Sequence, residues 1–167
     1  EAYTRALLLF LHATVRSGRG VEVFAFGTRL TRLTPELMSR DPEQALARAA
    51  VRVVDWASGT RIGASLKAYN DSWGRRALTR GAVVLVVSDG WESEDHELVG
   101  REMARLHRAA YAVVWVNPAK GGTDYEPLAA GMQAALPSID RFVAGHNVAS
   151  LEALAGLLAR IERRHEA

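Results

Sequence analysis

The stretch AVVLVV at residues 82–87, running straight into Ser88-Asp89-Gly90-Trp91, decides the fold. A run that is apolar at every position has no solvated side, and its four valines give it the β-branched character of a strand. Such a strand belongs inside a parallel sheet with helices on both faces. The Asp-Gly pair behind it ends the strand in a turn.

Reading outward from this strand, helical and strand patterns alternate in both directions. Upstream, Ile62 to Leu78 places Ile62, Leu66, Tyr69 and Trp73 on one helical face. Before it, Asp41-Pro42-Glu43 starts a helix with Asp41 as N-cap and Pro42 at the first helical position, ending near Asp55-Trp56. VEVFAF at 21–26 reads as a second buried strand between Gly20 and Gly27. Leu30 to Leu33, with Thr and Arg interleaved, suits an exposed edge strand. Tyr3 to Val15 is a helix stopped by Ser17, Gly18 and Gly20.

Downstream, His96 to Arg108 reads as a helix, YAVVWV at 111–116 as a strand, and Tyr125 to Leu136 as a helix halted by Pro137. Ile139 to Val143 is a last short strand. Gly145-His146-Asn147 turns into a final helix, Ala149 to Arg163, with Ser150 as its cap and Glu152 and Arg160 on its wet side. The alternation predicts an α/β domain: three layers, a doubly wound and mostly parallel sheet with helices on both faces, and one antiparallel edge strand. A chain of 167 residues with 49% hydrophobic content fits one domain, residues 1–167.

Bulk properties exclude several functions. Lys and Arg number 21 against 19 Asp and Glu, and the basic residues are scattered rather than gathered into a stripe, so nucleic acid is not an expected partner. The absence of Cys removes disulfides, thiolate metal sites and cysteine nucleophiles, and suits a reducing compartment such as the cytoplasm. No apolar run approaches the roughly 20 residues of a membrane-spanning helix, and Glu1 opens into a helical pattern without a signal-peptide layout. There is no G-x-S-x-G elbow, no Walker A loop, no G-x-G-x-x-G after a strand and no H-E-x-x-H. Ser88 has no evident base beside it, and most of the five histidines (His12, His96, His107, His146 and His165) read as solvated or capping residues. The chain is expected not to be an enzyme.

The segments RALLLFLHA, EVFAFGTRLTRLT, DWASGTRIGASL, VVLVVSDGW, EMARLHR, VVWVNP, YEPLAAGMQAALP and FVAGHNVASLEALA together resemble the CoxE-like branch of von Willebrand factor A (VWA) proteins across the whole chain. The resemblance implies a Rossmann-like sheet of order roughly 3-2-1-4-5-6. It also implies a first central strand, ending in D-x-S-x-S, ahead of Glu1; neither the strand nor the motif is in this sequence. A helix such as Tyr3 to Val15 is ordinarily a crossover between two parallel strands, which fits an N-terminally truncated domain. Three solutions to the missing strand stand open: VEVFAF pairs directly with AVVLVV, another segment or chain fills the slot, or further residues precede Glu1. Unpaired apolar edges favour self-association, so a homodimer that buries them is one expected assembly.

The same resemblance implies a metal-ion-dependent adhesion site over the C-terminal ends of the strands. In S-G-T-R-I-G, Thr60 matches the family's second-loop Thr, and in V-S-D-G-W, Asp89 matches its third-loop Asp. Mg²⁺ takes about six oxygens in octahedral geometry and retains several waters. With the first-loop Asp and two Ser missing, Mg²⁺ is expected to bind weakly or not at all here, and properly in a full-length parent. Ser-Gly-Thr before a helix is also an ordinary cap, and Asp-Gly an ordinary turn. Trp91 could contact a partner or pack on the sheet. Glu92, Glu94 and Asp95 could recruit a second cation or a basic partner, or simply favour the following helix dipole.

By resemblance the function is a metal-dependent protein-interaction module. It would work with a MoxR-type AAA+ ATPase on a client metalloenzyme in a bacterial cytoplasm, a partner's carboxylate completing the Mg²⁺ shell. A Mg²⁺-dependent hydrolase or phosphotransfer enzyme, and a structural VWA module with a dead metal site, are the competing expectations.

Overall fold

A computed structural model describes residues 2–18, 20–53, 59–74, 81–118, 129–145 and 147–165. The chain folds as two compact units, Glu1–Thr60 and Arg61–Ala167.

In the first unit, helix α1 (Ala2–Arg16) is followed by a hairpin of β1 (Phe24–Phe26) and β2 (Leu30–Arg32), a one-turn helix α2 (Thr34–Leu37) and helix α3 (Pro42–Arg52). The hairpin is antiparallel, with Phe24 opposite Arg32, Ala25 opposite Thr31 and Phe26 opposite Leu30. It supplies the expected antiparallel strand, but VEVFAF contributes only its last three residues to the ladder. Glu22 and Val23 instead have other partners. Val23 donates its N–H to the Thr34 hydroxyl (2.9 Å) and its carbonyl takes the Leu33 N–H (2.8 Å), while Glu22 reaches sideways to Arg32 (2.7 Å) and Thr34 (2.7 Å). Asp41 caps α3 as expected, accepting the Glu43 N–H at 2.9 Å. Val15, Val23, Leu33, Leu37, Ala45 and Ala49 close into the core of this unit.

The second unit contains α4 (Ile62–Ser72), β3 (Val83–Val87), α5 (His96–Ala109), β4 (Ala112–Asn117), α6 (Ala130–Ala135) with a 3₁₀ turn at Leu136–Ser138, β5 (Arg141–Ala144) and α7 (Val148–His165). Its three strands are parallel in the order β3-β4-β5, with Leu85 beside Val114 and Trp115 beside Phe142. The described strands therefore lie in two sheets, not in the single sheet expected, and β1 does not pair with β3.

The middle strand is YAVVWV, and AVVLVV is an edge. Burial follows this order: Val113, Val114, Trp115 and Asn117 are fully buried in β4, whereas of the five β3 residues Val86 alone is buried. Helix α5 packs on both α4 and α6 and buries Val99, Met103 and Leu106.

Three helices differ from the periodicity. Helix α4 buries Ile62, Gly63, Ser65 and Asn70, with Leu66, Tyr69 and Trp73 only half-buried, because a polar pair described below sits in its packing face. The described part of the Tyr125–Leu136 helix begins at Ala130, and residues 119–128 lie outside the described chain. In α7 the capping oxygen is Asn147 Oδ1, which accepts the Ser150 N–H at 2.8 Å; Ser150 is the capped residue, not the cap. Glu152 and Arg160 are exposed, as expected.

Candidate functional site

The loop from Ser88 to Asp95 leaves the C-terminal end of β3, the end at which parallel α/β sheets place their ligands. Several interactions hold it. Ser88 extends the sheet by one bond, its N–H donating to the Val116 carbonyl (3.0 Å), and its own carbonyl accepts the Trp115 indole N–H (2.8 Å). Its hydroxyl accepts the Gly90 N–H at 3.1 Å.

Asp89 is exposed, and its Oδ1 accepts the Trp91 N–H at 3.0 Å, closing an Asx turn. Gly90 sits at φ +81°, in the left-handed region where glycine has no side chain to clash. The turn lies on α6: a Cβ on Gly90 would fall 2.5 Å from Met132 Cβ, and one on Gly131 would fall 2.5 Å from the Gly90 carbonyl oxygen. Trp91, next along, is 68% exposed, so it contacts solvent rather than packing on the sheet.

Glu92 turns inward and is only 8% exposed. Its Oε2 accepts the Gly63 N–H at 2.7 Å and its Oε1 the Glu94 N–H at 3.0 Å. Gly63 lies in the first turn of α4, whose N-cap, Arg61, makes no side-chain capping bond. The helix is thus capped from across the unit, by a residue 29 positions away. Glu94 pairs with Arg61 at 2.7 Å on the surface, and Asp95 caps α5 by accepting the Leu98 N–H at 2.9 Å. These geometries favour the helix-directed reading of the acidic run over a second cation site.

Thr60 is the last residue of the first unit and stands two places ahead of α4. It is not the N-cap of that helix, since Arg61 occupies the position. Asp89 belongs to the second unit, so the assignment of Thr60 and Asp89 as joint metal donors rests on motif order in the sequence. The donor set present does not complete a Mg²⁺ shell. One carboxylate and one hydroxyl fall well short of six oxygens, Glu92 is turned toward α4, and no group of three His, Asp or Glu that could hold a metal occurs among the described residues.

Two polar clusters escaped the sequence reading. Asn70, 3% exposed, donates to the Glu102 carboxylate (2.8 Å) and to the Glu102 carbonyl (3.0 Å), joining α4 to α5. At the rim of this pair Asp71 accepts from Lys67 (2.6 Å) and Arg105 (2.7 Å), and those two cations pull its carboxyl down to about 2. Asp140 accepts from the His107 ring at 3.0 Å and the Val113 N–H at 2.7 Å; burial raises its pKa, but these bonds outweigh burial and leave it low. His12 is buried on the Ser39 carbonyl (2.9 Å) rather than solvated. His146 lies outside the described residues. The one sequence signal for the Asn70 pair is a polar residue on the packing face of each helix.

No helix among the described residues is long and apolar enough to cross a membrane. Neither a curated protein nor a solved structure matches the chain. The family model for VWA domain containing CoxE-like protein matches residues 1–151. With a tethered Asp-Gly turn at the end of a parallel strand and a match over nine-tenths of its length, the chain belongs to the CoxE-like VWA family.

Proposed function

We propose that this chain is a non-catalytic, metal-dependent protein-interaction module. In this reading its binding face is the Ser88–Asp95 loop. The observation that carries the proposal is Asp89, an exposed carboxylate on a turn anchored at the C-terminal end of a parallel strand, in a chain of CoxE-like VWA membership. By motif order Thr60 is the family's second-loop donor, and an acidic side chain of the partner completes the Mg²⁺ shell once the first-loop donors are present. By family resemblance the partner is a MoxR-type AAA+ ATPase and the client a metalloenzyme, in a bacterial cytoplasm. β3, at the edge of the three described parallel strands, is the strand through which two copies would pair.

A Mg²⁺-dependent hydrolase on this loop would need a second carboxylate beside Asp89. Glu92 serves α4 and Glu94 serves Arg61, which favours the binding reading. The test is capture of the ATPase by the chain extended with a D-x-S-x-S-bearing strand, in Mg²⁺ and in EDTA. Recovery in Mg²⁺ and loss in EDTA, with Asp89→Ala abolishing capture, is the expected result; equal recovery in both buffers refutes the metal dependence.

A further inference from the structure

We propose that Glu92 is the positioning residue of the binding loop, holding the Asp89–Trp91 turn in place by tying the far limb of the loop to the start of α4. The proposal rests on the reading of this loop as the binding face. Glu92 faces away from that face and acts through the turn.

The loop has two limbs. The near limb is held by the sheet and by its own turn, through the Ser88–Gly90 and Asp89–Trp91 bonds. The far limb begins at Glu92, the next residue after the exposed Trp91. Glu92 places one oxygen on the Gly63 N–H and the other on the Glu94 N–H. One carboxylate therefore joins two segments that are otherwise 29 residues apart.

Burial makes the arrangement specific. A carboxylate taken from water needs hydrogen bonds to compensate, and the first-turn N–H groups of a helix are donors in want of an acceptor. Gly131 permits the approach: a Cβ there would lie 2.9 Å from Glu92 Cβ. Gly63, the residue that donates to Glu92, is itself packed closely on α5, where an added Cβ would lie 3.0 Å from Leu98 Cγ. Without Glu92, the far limb keeps the surface pair Glu94–Arg61 and the Asp95 cap, both beyond the turn itself.

The test is amide hydrogen exchange on the whole chain, comparing wild type with Glu92→Ala and Glu92→Gln. For Glu92→Ala the Gly63, Trp91 and Glu94 amides are expected to exchange about tenfold faster or more, while Val114 and Trp115 in β4 stay within about a factor of two. Glu92→Gln keeps one acceptor oxygen and restores part of the protection.

The proposal is overturned if the Trp91 amide is unchanged in Glu92→Ala. It is equally overturned if Trp91 speeds up in step with Val114 and Trp115, which would mark a general loss of stability. Equal capture in Mg²⁺ and EDTA would remove the metal dependence and leave the exchange result standing, so the two failures are separable.

Discussion

Replacing Gly90 with Ala tests the packing beneath the loop. Two costs add at this position. An L-residue at φ +81° carries about 1–2 kcal/mol of left-handed strain. The new methyl would also lie 2.5 Å from Met132 Cβ and 3.0 Å from the Met132 Cα and N, so α6 or the turn must move to admit it. Overpacking of that kind costs about 1–3 kcal/mol. Met132 is fully buried and cannot swing into solvent.

Together the two costs come to about 2–5 kcal/mol, a large share of the roughly 5–15 kcal/mol that holds a domain folded. At about 2–4 °C per kcal/mol for a chain of this size, the melting transition should fall by at least ~4 °C. Gly156 in α7 provides the opposite sign. It has open space around it, and Ala there should stabilise by about 0.5–1 kcal/mol through helix propensity. Urea and thermal unfolding followed by circular dichroism measure both. A Gly90→Ala protein melting within 2 °C of wild type, estimated on the same scale, would show that the turn does not rest on α6 as described.

Two further predictions concern the polar clusters. Asn70→Ala leaves the buried Glu102 oxygens short of a donor and should cost about 1–3 kcal/mol in urea unfolding, whereas replacing both Asn70 and Glu102 by Leu should recover much of the loss; a single mutant as stable as wild type refutes the pairing. In acid, Asp71 has a folded pKa of about 2, depressed from 3.8 first by Lys67 and then by Arg105. Its stabilisation is therefore complete above pH 3.8 and disappears as pH falls toward 2. Asp140, also depressed, acts in the same direction. Melting temperature followed from pH 5 to pH 2, about the interval that brackets this titration, should fall less steeply in Asp71→Asn than in wild type, and identical slopes would exclude the ion pairs as the cause.

The sequence by itself determined the elements whose causes are local. Asp41-Pro42 starts α3 because the cap and the N–H that donates to it lie two residues apart, and the apolar run at 82–87 becomes a strand because no periodicity offers it a wet face. The family was legible for the same reason: its motifs are short and ordered along the chain. The candidate site was legible in part. Asp89-Gly90 was visible as a turn, and Asp89 does close one, but its joint role with Thr60 rests on motif order alone.

Tertiary structure decided the rest, because the causes are far apart in the chain. That YAVVWV takes the middle of the sheet and AVVLVV its edge depends on which strands find partners. VEVFAF was shortened to three residues by Glu22, Arg32 and Thr34, side chains that meet only when the hairpin closes. Glu92 read as one of several acids favouring a nearby helix dipole; that it turns inward to cap α4 follows from the Gly63 N–H that it accepts and from Gly131, which makes room for it only in the folded unit. Local propensity acts over a few residues, whereas burial of a charge is settled by whatever the whole chain brings within 3 Å of it, a typical hydrogen-bond length.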